Sequence, residues 1–306
     1  MKAVDYIWMN GEMVEWDKAT VHVMSHGLHY GTSFFEGIRA YKTQKGTCGF
    51  RLREHMKRLY KSAQMYHVDL PYDFETLVQA THDVILENKL QDAYIRPIAY
   101  IGYGSIGVCP KEFNVDVSIA AFPWGAYLGE GALENGVDAS VSSWNRIAPN
   151  TVPTGAKAGG NYLSSFLISH EAHANGFHEG IGLNISGSLS EGAGENLFFV
   201  KDNKIFTPTA SSSILSGITR DSILTIARDL GYETEEQVLP REFLYTADEI
   251  FMTGTAVEVT PVRSVDRIPV GDGKRGAVTH AIQKAFFGLF DGSYEDTHGW
   301  LEPIKK

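Results

Sequence analysis

The chain opens on two short apolar runs within Ile7–Trp16 that meet at Asn10-Gly11. Asn-Gly between such runs signals a hairpin, because both residues accept the positive φ of a tight turn. Met56, Leu59, Ala63 and Tyr66 then recur at helical spacing, which predicts a helix over Arg53–His67. A second helix is expected over Asp73–Asn88, followed by strand-like runs at Ala93–Ile101 and Val115–Phe122. This order predicts an α+β first domain with largely antiparallel pairing. From Trp124 to Gly136 the period is lost among Gly, Ala and acidic residues, the mark of a linker. Beyond it a strand is expected near Val137–Ser142, then a turn-rich stretch, Pro149–Gly160, that holds one lysine, Lys157. A helix over Asn161–Asn175 is stopped by Gly176, and strand-like runs follow near Ile181 and Leu197. A helix over Thr219–Leu230 lies between Gly217 and Gly231, and a last one covers Ala277–Phe290. The pattern divides the chain into a small N-terminal α/β domain (1–123), a linker (124–136) and a large C-terminal domain (137–306).

Composition narrows the function classes. The 306 residues are 43% hydrophobic and 21% charged, with a formal net charge of -10. Such acidity disfavours a general binder of nucleic acid or anionic membrane, since phosphates are repelled. The longest apolar run, Ile119–Leu128, is broken by Pro123 and Gly125, so no membrane-spanning helix is expected. The amino terminus has no apolar signal core, and Cys48 and Cys109 make no disulfide framework; both point to a cytoplasmic protein.

Two motifs resemble sites but lack the context for one. Gly102-Tyr103-Gly104-Ser105-Ile106-Gly107 fits the dinucleotide string G-x-G-x-x-G. That motif needs a helix opening at the third glycine to receive the pyrophosphate, and here Pro110 and another strand follow. His22, His26 and His29 have i, i+4, i+7 spacing, which on a helix would stack three imidazoles as for zinc. Yet His22 stands between valines in a strand-like run and Gly27 interrupts the segment, so hydrogen-bonding histidines are the better reading and no metal is expected.

Several strings occur in a recognisable order. They are His29-Tyr30-Gly31-Thr32-Ser33-Phe34-Phe35-Glu36-Gly37-Ile38-Arg39, Ala93-Tyr94-Ile95-Arg96-Pro97, Pro153 to Tyr162 around Lys157, Ser190-Glu191-Gly192-Ala193-Gly194-Glu195-Asn196, Gly217-Ile218-Thr219-Arg220 and Gly254-Thr255-Ala256-Val257-Glu258. Together they resemble the branched-chain amino acid aminotransferases, class IV enzymes dependent on pyridoxal 5′-phosphate (PLP), over nearly the whole chain. The resemblance implies the two-domain type IV fold, with a barrel-like sheet in the larger domain and the active site at the domain interface.

The same resemblance assigns roles. Lys157 is the lysine that would carry the cofactor and move a proton; to act it must lose its own proton, which desolvation and nearby positive charge favour. Glu191 would sit against the ring nitrogen, where a buried carboxylate favours the protonated ring; Glu195 competes for that role and ranks behind it. Tyr162 would hydrogen-bond the ring's phenolic oxygen. Arg58, Thr255 and the helix opening at Ile218 and Thr219 would hold the phosphate, the last through backbone N–H groups and the helix dipole. The α-carboxylate would go to Tyr94 and to the backbone at Thr255 and Ala256. Tyr30, Phe35, Gly37, Arg96, Trp124 and Tyr127 would line the side-chain pocket, and Val108 would reach across from a partner subunit. One departure stands out, since many relatives have proline where this chain has Ser216 before Gly-Ile-Thr-Arg.

The activity implied is transamination between leucine, isoleucine or valine and 2-oxoglutarate, by a homodimer at least, with further assembly into a hexamer left open. Alternatives of the same fold are a D-amino acid aminotransferase, an amine transaminase and aminodeoxychorismate lyase. From other classes stand a dinucleotide-dependent oxidoreductase built on Gly102–Gly107 and a non-catalytic PLP-binding protein. The pairing of Lys157 with Glu191 disfavours the last, because a binding module has no need of an electron sink.

Overall fold

A computed structural model describes residues 3–125 and 127–306. Met1 and Lys2 of the amino-terminal stretch, and Ala126 of the expected linker, lie outside them. The chain forms two compact units: Met1–Gly125 with Ala156–Gly160 and Phe290–Lys306, and Ala126–Gly155 with Asn161–Leu289. This corrects the expected division in two places. The segment holding Lys157, and the last stretch of the chain, both belong to the first unit. The physical reasons are visible within that unit: Ala156 and Ala158 are buried in its core, and Leu301–Pro303 pairs as a strand with Gly46–Phe50.

The first unit is built on an antiparallel sheet. Its strands run in the order Leu301–Pro303, Gly46–Phe50, Ile38–Thr43, Ala93–Ile101, Val115–Phe122, Tyr6–Met9, Glu12–Glu15, with Ser33–Phe35 also on Ala93–Ile101. The Asn-Gly hairpin forms as expected, with φ of 50° at Asn10 and 97° at Gly11. Ser33–Phe35 and Ile38–Thr43 pair with successive halves of Ala93–Ile101, and Glu36-Gly37 interrupts them beside Pro97. Proline has no N–H to give the ladder, so only the reverse bond forms there, from Glu36 N to Pro97 O. Helices Leu52–Gln64 and Phe74–Glu87 bury Leu52, Met56, Leu59, Leu77, Val84 and Ile85 in the core, and Asp73 caps the second by accepting from Thr76 N.

The second unit holds a mixed nine-stranded sheet. Val137–Val141 runs parallel to Glu179–Leu183, and Lys204–Pro208 parallel to Thr234–Gln237. Parallel neighbours need a crossover. Helix Tyr162–Ala174 supplies the first and helix Ile218–Asp229 the second, so the latter begins beyond the carboxyl end of its preceding strand. The core beneath includes Leu197, Phe199, Ile250, Met252 and Val262. Among the described residues no helix is long and apolar enough to cross a membrane.

A charged clasp fastens the parallel pair Val137–Val141 and Glu258–Val265. Asp138 accepts from Arg263 Nε at 2.9 Å and Nη2 at 2.7 Å, and from Ser264 Oγ at 2.6 Å. The Arg263 hydrogen bonds lower its pKa to about 2, against the opposing effect of partial burial. A depressed carboxylate contributes stability above its unfolded value near 4 and loses it as pH falls through the folded value. Because Asp138 and Arg263 are about a third exposed, Asp138→Asn is expected to cost only about 1 kcal/mol at neutral pH. Thermal melts of parent and variant should converge as pH falls from about 6 to about 2; a gap that stays constant would contradict this account.

Candidate active site

Lys157 lies on the Ala156–Gly160 strap of the first unit. Phe35 N donates to Lys157 O at 3.0 Å, Lys157 N donates to Ser62 Oγ at 3.0 Å, and Gly160 N donates to Gly31 O at 3.1 Å. The strap must be lean, since a Cβ at Gly159 would stand 2.3 Å from Ser33 Oγ. Its small residues thus bring Lys157 Nζ to 4.9 Å from the centre of the Phe35 ring.

The same ring carries the Arg96 guanidinium, also at 4.9 Å. Arg96 Nη2 donates to Tyr94 Oη at 3.0 Å, while its Nε is buried without a partner among the described residues. Among the described residues Arg96 therefore pairs with no surface acid. Tyr94 lies beside Trp124, the rings tilted by 31° with their centres 5.1 Å apart. Gly37 is required here, because a Cβ would lie 2.1 Å from the Tyr94 hydroxyl oxygen. Lys157, Phe35, Gly37, Tyr94, Arg96 and Trp124 are thus brought together. Tyr30 is more exposed and packs on His26, and Val108 is 83% exposed.

The decoy motifs resolve as structure. Gly102–Gly107 lies in the loop joining two antiparallel strands, with no helix to receive a pyrophosphate, which removes the dinucleotide reading. His26 bonds Thr32 Oγ1 and Gly107 O at 2.7 Å each, and His29 Nε2 bonds Val23 O. The strand-like run expected around His22 does not form; the chain there leads into the short helix His26–Tyr30.

Sequence reasoning missed the acid at the centre of the next cluster. Glu36 is fully buried in the gap between Ser33–Phe35 and Ile38–Thr43. Arg58 Nε donates to its Oε1 at 2.6 Å and Arg58 Nη2 to its Oε2 at 2.9 Å, with His55 Nδ1 at 2.7 Å from Oε2. Burial opposes ionisation of Glu36, but Arg58 and then His55 outweigh it and hold the carboxyl well below the usual range. Burial is the largest influence on His55 and lowers its pKa, so the ring is neutral and its Nδ1–H donates. Arg58 is accordingly no solvated helix residue; its side chain is 15% exposed and charge-matched. The available signal was a glutamate amid apolar strand residues, with His55 and Arg58 one helical turn apart.

In the second unit, Glu191 is buried on the strand Leu189–Gly192. Its Oε1 accepts from Arg146 Nη2 at 2.5 Å, and its Oε2 accepts from Leu215 N at 2.9 Å and Asn196 Nδ2 at 3.1 Å. Glu195 is buried too, but its side chain accepts from Gly194 N and, among the described residues, has no cation bonded to it. Burial and then the neighbouring Glu179 push its carboxyl well above the ordinary range. Between the two glutamates weighed for the ring nitrogen, Glu191 alone carries a paired cation.

Close by, helix Ile218–Asp229 opens at Gly217, which brings no side chain to cap its first N–H groups. Glycine is required, since a Cβ would lie 2.0 Å from Asn196 Oδ1. Thr219 is buried in the first turn. Thr255 and Ala256 lie on the turn that closes the hairpin of Glu249–Gly254 and Glu258–Val265. Tyr162 begins its helix half-buried, and Tyr127 is half-exposed. The hydroxyls of Ser212, Ser213 and Thr253 are buried without partners among the described residues. Unused hydroxyl donors and a helix start at which Gly217 supplies no side-chain cap suit a phosphate, and a carboxylate with its own guanidinium suits a protonated ring nitrogen. These residues fit PLP.

Comparison with known proteins agrees. Residues 33–265 match the family model described as amino-transferase class IV. The branched-chain-amino-acid aminotransferase of Salmonella typhimurium is 60% identical over 304 residues, 99% of this chain and 98% of that protein. The chain belongs to the branched-chain aminotransferases of class IV. The crystal structure of the Escherichia coli branched-chain amino acid aminotransferase superposes with a TM-score of 0.98 at 60% identity, covering 99% of this chain and all of that one. The enzyme from Thermobaculum terrenum, solved in its PLP form, gives 0.92 at 34% identity with both chains fully covered. The family's fold is this chain's fold, and its cofactor is PLP.

Proposed function

We infer that this chain moves an amino group between leucine, isoleucine or valine and 2-oxoglutarate, giving branched-chain 2-oxo acids and L-glutamate. One observation carries the assignment of substrate: end-to-end identity of 60% with branched-chain aminotransferases. PLP, when bound, supplies an electron-withdrawing ring that makes an α-proton removable. Lys157 holds the cofactor and moves that proton. Glu191 holds the ring nitrogen, and Tyr162 donates to the phenolic oxygen. Arg58, Thr219, Thr255 and the backbone at Ile218 take the phosphate. The α-carboxylate is held by the Tyr94 hydroxyl and by the backbone of Thr255 and Ala256. Phe35, Gly37, Trp124, Tyr30 and Tyr127 line the side-chain pocket. The enzyme acts in the cytoplasm as a homodimer, in which Val108 extends toward the partner subunit; a hexamer made of three such dimers is the larger assembly the family reading allows.

A pocket that accepts leucine must also accept glutamate, whose second carboxylate needs a counter-charge once water is excluded. Arg96 answers that need, being partly buried on aromatic rings with its Nε unpartnered among the described residues. A hydrogen bond to a charged group contributes about 1.5–3 kcal/mol. Arg96→Leu should therefore lower catalytic efficiency with glutamate roughly 10- to 150-fold. The leucine half-reaction should suffer far less. Single-turnover kinetics of each half-reaction decide: an equal fall in both would show that Arg96 supports the site without reading glutamate.

A further inference from the structure

We propose that Arg146 is the positioning residue that keeps the proton on the cofactor's ring nitrogen, by holding Glu191 as a carboxylate. The inference rests on the reading of Glu191 as that nitrogen's partner. Arg146 and Glu191 are each less than a tenth exposed, and Nη2 stands 2.5 Å from Oε1, the short contact of a charge-assisted bond. The second terminal nitrogen, Nη1, donates to Ser165 Oγ at 2.8 Å, while Nε is buried without a partner among the described residues. Arg220, also buried in this unit, is committed to Glu236, so it offers Glu191 no substitute charge.

A carboxylate facing a protonated ring nitrogen in a dry site has an alternative. It can take the proton, breaking one N–H bond and forming one O–H bond, and leave two neutral groups; desolvation favours that exchange. A guanidinium held on Glu191 Oε1 opposes it, because protonating Glu191 would strand a buried cation. Leu215 N and Asn196 Nδ2 also donate to Glu191 but carry no charge. Among the described residues neither Glu179 nor Glu195 hydrogen-bonds the guanidinium, since their side chains accept from Gly180 N and Gly194 N, although the Arg146 charge also acts on Glu195 and favours its ionised form.

The test is ¹⁵N NMR of holoenzyme reconstituted with PLP labelled at the ring nitrogen. The parent should show the pyridinium resonance, and Glu191→Gln should move it to the neutral pyridine position. If the parent is not protonated, or Glu191→Gln changes nothing, the reading of Glu191 fails and the inference with it. Given that pair of results, Arg146→Met should carry the resonance more than half-way to the Glu191→Gln position. Arg146→Lys, which keeps the charge, should stay near the parent. A resonance unmoved in Arg146→Met overturns the proposal while leaving Glu191 in place. An equal move in the lysine and methionine variants also overturns it, since shape and not charge would then matter. Should the methionine variant not fold, Arg146→Gln keeps a donor without the charge and is read against the same two positions.

Discussion

Replacing Lys157 with alanine should abolish turnover while leaving the fold intact. The strap is held by backbone bonds to Ser62, Phe35 and Gly31 and by the burial of Ala156 and Ala158; the side chain of Lys157 takes no part in these. Thermal melts should therefore shift little. The catalytic loss is large for two reasons. A positioned proton carrier is worth about 10²–10⁴ in rate, and covalent attachment of the cofactor goes with the same amine. Turnover with L-leucine and 2-oxoglutarate measures the first. Borohydride reduction of the parent, followed by peptide mapping, should place the cofactor's mass on the peptide holding Lys157. Labelling of a different lysine sinks the assignment.

The second large effect is expected at Glu191. Glu191→Gln should retain the cofactor, because the phosphate residues are untouched, yet turn over about 10²–10³-fold more slowly. An amide cannot favour a protonated ring nitrogen, and its NH2 must face one of the donors that now converge on Glu191 from Arg146, Asn196 and Leu215. Arg146 would also be left with a buried charge and no anion, a cost of about 3–5 kcal/mol in comparable pairs. Removing Arg146 as well should recover much of that stability and none of the activity. Retained cofactor absorbance with turnover near the parent's would show that the ring nitrogen has another partner.

The sequence carried the parts of the fold whose signals are local. Helix Leu52–Gln64 announces itself through Met56, Leu59 and Ala63, and strands Ala93–Ile101 and Val115–Phe122 lie where their apolar runs placed them. The short strands Gly46–Phe50 and Leu189–Gly192 were not legible, being glycine-bearing and without alternation. Nor was the membership of Ala156–Gly160 in the first unit, which depends on contacts with residues far away in the chain. The site divides the same way. Resemblance pointed to Lys157 and Glu191, but Glu36 meets Arg58 across 22 positions and Arg146 meets Glu191 across 45. No spacing rule links such pairs; only the folded sheet does.

The return of Phe290–Lys306 to the first unit also sets the order in which the chain can mature during synthesis. Phe290 stacks on Tyr41 with ring centres 3.6 Å apart, and Leu301–Pro303 covers the strand edge at Gly46–Phe50. While the ribosome is still adding residues, that edge and the apolar surface around Tyr41 stay bare. At ordinary elongation rates the interval lasts roughly 10–50 s. An uncovered strand edge on a nascent chain invites pairing with its neighbours on the same message. Residues 1–125 made alone would never leave that stage, and a chain ended before Leu301 would carry a first sheet without its closing strand.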